Sequence, residues 1–125
     1  MLSANLTDAL NEAAVWRRAY PEFGVFAEVW SGRPSIRMPH FGRFQMEERA
    51  SRIELVRSTL KVNFAERGLK HKDVHWRNIG AYRDHTGSER AVVFDMGSVE
   101  ACDDASWVDE ACNRLLNPPD EEADS

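Results

Sequence analysis

Along residues 45–67, apolar side chains recur at Met46, Ala50, Ile53, Val56, Leu60 and Phe64, at spacings of four, three, three, four and four. That rhythm follows the 3.6-residue turn of an α-helix, so the six residues form one stripe that needs an apolar cover. Gly68 stands where a left-handed helix terminus is wanted, and Leu69 is the apolar residue that packs back on the last turn. Any fold open to this chain must lay other elements against that stripe and continue from Leu69 into Lys70-His71-Lys72-Asp73.

Further elements are readable on both sides of that stripe. Upstream, Asn5 or Thr7 can cap a helix through Ala9, Leu10, Ala13, Ala14, Val15 and Ala19, which Pro21 ends. The aromatic and β-branched run 23–30 and the shorter run 35–38 flank Ser31-Gly32-Arg33-Pro34, which predicts two strands and a tight turn. Downstream, 78–82 and 91–94 flank a polar loop and read as a hairpin, and an amphipathic helix follows over 105–116. The fold class is therefore α+β, one domain over residues 1–116. The end of the chain, Asn117-Pro118-Pro119-Asp120-Glu121-Glu122-Ala123-Asp124-Ser125, is too polar to pack and is expected to be a disordered acidic tail.

Charge narrows the partners. The net charge of -5 over 125 residues divides unevenly: residues 1–99 hold 15 basic and 12 acidic side chains, residues 100–125 one basic and nine acidic. An excess of three positive charges spread over 99 residues falls short of the clustered basic face of a nucleic-acid binder, so nucleic acid is not expected as a partner. No apolar run reaches the roughly 18 residues of a membrane helix, and the first 20 residues lack the pattern of a secretory signal. Cys102 and Cys112, ten apart with no CxxC, complete neither a metal site nor a recognisable disulfide pattern and are read as reduced thiols.

The chemistry concentrates in His71-Lys72-Asp73-Val74-His75-Trp76-Arg77-Asn78 and, beyond the hairpin, in Val92-Val93-Phe94-Asp95-Met96-Gly97. The pattern is HxDxxxxN, then an apolar strand ending in DxG. Phosphoryl transfer needs a carboxylate to orient the acceptor hydroxyl and oxygen ligands that hold Mg²⁺ against the nucleotide phosphates. Asp73 and the pair Asn78/Asp95 supply those groups, and the hairpin is expected to return Asp95 beside the other two.

These motifs resemble those of the protein-kinase-like superfamily over roughly residues 8–116. The resemblance implies a partial kinase-like fold: the end of a small lobe, then the first part of a helical large lobe. It implies ATP and Mg²⁺ as cofactors, a protein or small-molecule hydroxyl as acceptor, Asp73 as catalytic-loop base braced by His71, and Asn78 and Asp95 as metal ligands. Met38, Pro39 and His40 would be the hinge that meets adenine, and Glu12 a candidate for the ion-pairing glutamate of the first helix. His75 is similar to the histidine of HGDxHxxN loops in small-molecule phosphotransferases, and the DVHWRN and FDMGSV runs resemble atypical kinase-like domains of crinkler-type effectors and of fungal and oomycete families.

The departures matter as much. No GxGxxG occurs and no lysine precedes Lys61, so the phosphate-covering loop and the strand lysine have no counterpart, and nothing after Gly97 resembles an APE segment. Lys72 replaces an arginine that forks a phosphate, which argues against control by activation-loop phosphorylation. On this reading the chain is a domain truncated at both ends. The alternative is a catalytically inactive remnant that serves protein interaction. A third reading takes His71, Asp73 and His75 as transition-metal ligands, although no zinc-type spacing supplies the remaining ligands.

Overall fold

The computed structural model describes residues 6–117 and divides the chain into two compact units, one ending at His40 and the other beginning at Phe41. In the first, helix α1 (Leu6–Ala19) buries Ala9, Ala13, Trp16 and Ala19, again at spacings of four, three and three. Leu10 is 50% exposed, and Trp16 is the large buried side chain of the helix. Asn5 lies outside the described residues; Thr7 falls inside the helix rather than at its cap. Pro21 opens a single 3₁₀ turn, Pro21–Phe23, closed by Gly24 at φ 60°, a left-handed value that glycine adopts without a Cβ penalty.

Strands β1 (Phe26–Trp30) and β2 (Arg33–Arg37) form an antiparallel hairpin in which Phe26 faces Arg37 and Trp30 faces Arg33. The turn is two residues long, Ser31 (φ 51°) and Gly32 (φ 76°), and this left-handed pair matches the twist of the strands it joins. Arg33 and Pro34 therefore belong to the strand, which begins two residues earlier than the composition suggested. Pro34 sits opposite Val29, one step from the hydrogen-bonded pair that flanks the turn, where its missing N–H costs the ladder nothing.

In the second unit the apolar stripe is helical throughout but not one regular helix. It opens with 3₁₀ turns at Met46–Glu48 and Ala50–Arg52, continues as α2 (Ile53–Thr59), widens into a π-helical segment, Leu60–Phe64, and closes with Ala65–Arg67 and Gly68 at φ 73°. Met46 and Ala50 are exposed, so the stripe is buried only from Ile53 onward. The polar Thr59 and Asn63 are buried on the same face, beside Leu60 and Phe64. Thr59 Oγ1 satisfies itself by donating to the Ala91 carbonyl at 2.6 Å.

Strands β4 (Ile79–Arg83) and β5 (Glu89–Val93) form the expected downstream hairpin, with Ile79 facing Val93 and Arg83 facing Glu89. Its tip is ordered by the Asp84 carboxylate, which accepts from the Thr86 hydroxyl and from the N–H groups of Thr86 and Ser88, and those bonds hold its pKa below the ordinary value. A second antiparallel pair joins β3 (Leu69–His71) to β6 (Val99–Ala101). Helix α3 (Trp107–Leu116) buries Trp107, Val108, Ala111, Cys112 and Leu115. Trp76, 4% exposed, reaches it by donating from Nε1 to the Leu115 carbonyl at 3.0 Å. Both cysteines are free thiols, and no helix among the described residues is long and apolar enough to cross a membrane. Of the expected acidic tail only Asn117 is described; the remainder lies outside the described residues.

Candidate functional site

The β3–β6 pair and the β4–β5 hairpin present the two motifs on neighbouring loops of the second unit. His71 ends β3 and is 1% exposed, packed edge-on against Phe64 with ring centroids 5.8 Å apart. The Asp73 N–H donates to His71 Nδ1 at 3.1 Å, which assigns the ring proton to Nε2, and Nε2 lies 2.5 Å from the Phe94 carbonyl, to which it donates. Burial holds the His71 imidazole below its ordinary value of 6.5. The bond to Phe94 and the negative charges of Asp95 and Asp73 oppose that shift without cancelling it.

Asn78 closes the loop from the other side. Its Nδ2 donates to the Asp73 backbone carbonyl at 3.0 Å and stands 3.4 Å from Asp73 Oδ2, while the Asn78 backbone carbonyl accepts from the Phe94 N–H at 2.6 Å. The result is a circuit, Asp73 to His71 to Phe94 to Asn78 and back to Asp73. It uses both backbone polar groups of Asp73 and both of Phe94. Two loops far apart in sequence are thereby locked together through four hydrogen bonds.

Phe94 is seated by Gly80. A Cβ at Gly80 would stand 2.3 Å from Phe94 Cζ and 2.9 Å from Phe41 Cβ, so the aromatic rings occupy the space that any other residue would need. The chain then turns sharply. Asp95 has φ 64° and ψ 66°, a left-handed conformation that costs a non-glycine residue roughly 1 kcal/mol or more and that recurs at functional sites. Its carboxylate accepts from Ser98 Oγ at 3.1 Å, and the Ser98 N–H donates to its carbonyl at 3.1 Å. Lys72 is tied to the same turn, its N–H donating to the Ser98 carbonyl at 2.8 Å, with its ammonium 3.7 Å from Glu100.

The geometry sorts the expected site residues. Asp73, His71 and Asn78 are in direct contact. Asp95 follows immediately on the residue that both His71 and Asn78 hold, and its charge acts on the same imidazole as that of Asp73. Its carboxylate forms its side-chain hydrogen bond with Ser98, not with Asp73 or Asn78. Met38, Pro39 and His40 follow β2 at the end of the first unit, with Met38 and Pro39 half-buried and His40 exposed; Glu12 is half-buried on α1. The transition-metal reading of His71, Asp73 and His75 fails, because both nitrogens of His71 are committed to protein groups. Among the described residues no three His, Cys, Asp or Glu side chains stand together as a metal-ligand set.

One contact was not foreseen. His75 Nε2 lies 2.5 Å from Asp73 Oδ1, both side chains being about one-third exposed (30% and 37%). The HxDxH spacing was visible in the sequence, but two residues apart do not announce whether their side chains share a side.

Compared with protein-family models, with curated proteins and with solved structures, the chain matches none.

Proposed function

We propose that this chain carries the catalytic-loop portion of an ATP- and Mg²⁺-dependent, kinase-like phosphotransferase. The observation that carries the reading is the hydrogen-bond circuit through His71, Asp73, Asn78 and Phe94, which holds a carboxylate-bearing loop against the residue preceding a second carboxylate. Such a circuit is what preorganisation for phosphoryl transfer asks of a protein, since positioning and charge stabilisation do most of the work in that reaction.

The donor set suits a hard cation. Asn78 commits Nδ2 to Asp73, which leaves its amide Oδ1 without a hydrogen-bond partner among the described residues, and Asp95 likewise keeps Oδ1 uncommitted. An amide oxygen and a carboxylate oxygen are ligand types that Mg²⁺ takes, so Asn78 and Asp95 would hold the ion. When bound, Mg²⁺ supplies neutralisation of the charge that develops on the phosphates. Asp73 then orients the acceptor hydroxyl: the acceptor oxygen bonds to the γ-phosphorus, the bond to the departing ADP oxygen breaks, and the hydroxyl proton passes to the carboxylate. The acceptor class is a protein or small-molecule hydroxyl.

A second reading, a non-catalytic interaction module, is favoured by the first unit's hairpin, where Phe26, Val29 and Trp30 are 47%, 58% and 63% exposed. Transfer of labelled γ-phosphate from Mg²⁺-ATP, with Asp73→Ala as the control, distinguishes them. The phosphotransferase reading expects Asp73→Ala to abolish transfer while ATP binding is retained; transfer at an undiminished rate in that variant would overturn it.

A further inference from the structure

The circuit fixes the backbone of Asp73 but leaves its carboxylate free to rotate, because neither the N–H nor the carbonyl of a residue restrains its side-chain torsion. Among the described residues, two side chains reach the carboxylate itself. Asn78 Nδ2 is 3.4 Å from Oδ2, at the outer limit of a hydrogen bond, whereas His75 Nε2 is 2.5 Å from Oδ1. The closer contact dominates the orientation.

His75 is in turn held where it can do this. Its backbone is extended, φ -134° and ψ 155°, and its neighbours Val74 and Trp76 are buried at 3% and 4% exposure. In an extended segment alternate side chains share a side, so anchoring residues 74 and 76 inward sends His75 out beside Asp73. Trp76 is pinned further by its bond to Leu115. The imidazole that meets Asp73 is rigid beyond two torsions, unlike the four-carbon stem of a lysine.

We propose that His75 is a positioning residue that sets the Asp73 carboxylate, holding Oδ1 and leaving Oδ2 as the oxygen that meets the acceptor hydroxyl. The part concerning Oδ2 rests on the phosphotransferase reading; the orienting contact does not. A carboxylate with one oxygen held and one only weakly engaged presents a single defined acceptor, which a freely rotating group does not.

The test uses the full chain with ¹⁵N-labelled histidine. Long-range ¹H–¹⁵N spectra should show His75 with its proton on Nε2 and a resonance that moves in Asp73→Ala. A proton on Nδ1, or a resonance indifferent to Asp73→Ala, overturns the positioning role. Hydrolysis of Mg²⁺-ATP supplies the second readout: His75→Ala should lose about a hundredfold in kcat with little change in KM for ATP, as expected of a misplaced reacting group. His75→Gln, which restores an N–H at similar reach, should recover most of that loss. Unchanged kcat in His75→Ala, or equal losses in the two variants, refutes the role. Absence of ATP turnover in the parent chain, together with the expected His75 spectrum, overturns the phosphotransferase reading and the task given to Oδ2 while the orienting contact stands.

Discussion

Replacing His71 by Leu tests the circuit at its most buried point. The substitution roughly keeps side-chain volume in a position 1% exposed but removes both ring nitrogens. It leaves the Phe94 carbonyl and the Asp73 N–H without their partner. Each abandoned buried polar group costs about 1–3 kcal/mol, and because these two are partly buried the sum is about 2–4 kcal/mol near neutral pH. The pH dependence carries a second signature. Burial lowers the folded-state pKa of His71 below 6.5, so between the folded and unfolded values the unfolded chain binds the extra proton. That contribution to stability is intact above about pH 6.5 and is lost as pH falls through that value, at up to about 1.4 kcal/mol per pH unit, until the folded form also titrates. Urea unfolding at pH 7.5 and 5.5 measures both effects. The parent chain should lose stability between the two conditions, the Leu variant should lack the His71 share of that loss, and the gap between them should narrow at the lower pH. A variant within about 0.5 kcal/mol of the parent at pH 7.5, or one whose gap stays constant, refutes the reasoning.

Two further substitutions probe how the site is seated. Gly80→Ala drives a Cβ into Phe94 and Phe41 and should cost about 1–3 kcal/mol in a urea or thermal unfolding experiment, with a matching loss of whatever activity depends on the turn at Asp95; a neutral substitution would show that the rings yield freely. Thr59→Val keeps the shape of a buried residue but deletes the 2.6 Å bond to the Ala91 carbonyl. It should destabilise by about 1–2 kcal/mol while Thr59→Ser, which keeps the hydroxyl, loses less, the comparison being made by denaturant midpoint.

Much of this arrangement was legible in the residues. The stripe from Ile53 to Phe64, the glycine terminus at Gly68, the two hairpins and helix α3 all follow from periodicity and turn chemistry, and they put His71, Asp73 and Asn78 on one loop. The mixed helix-and-strand class follows from the same elements. What was not legible depends on tertiary contact. Strand β6 is three residues with no alternation, and it exists because β3 pairs with it. The π-helical segment leaves no mark in the apolar spacing, and neither do the partners of the buried Thr59 and Asn63, which bond to the Ala91 carbonyl and to the Arg90 guanidinium of β5. On α1 the buried face is Ala9, Ala13, Trp16 and Ala19, and Leu10 lies off it. The left-handed turn at Asp95 has no glycine to announce it.

The phosphotransferase proposal requires Asn78 and Asp95 to act as one cation-dependent nucleotide site. The direct measurement is the ATP-induced stabilisation of the full chain, with and without Mg²⁺, for the parent, Asp95→Ala and Asp73→Ala. With ATP at 100 times its dissociation constant, the parent and Asp73→Ala should each gain about 2.7 kcal/mol in the presence of Mg²⁺, a gain that disappears without the metal and in Asp95→Ala. Stabilisation that ignores Mg²⁺, that survives Asp95→Ala, or that is absent from the parent contradicts the claim.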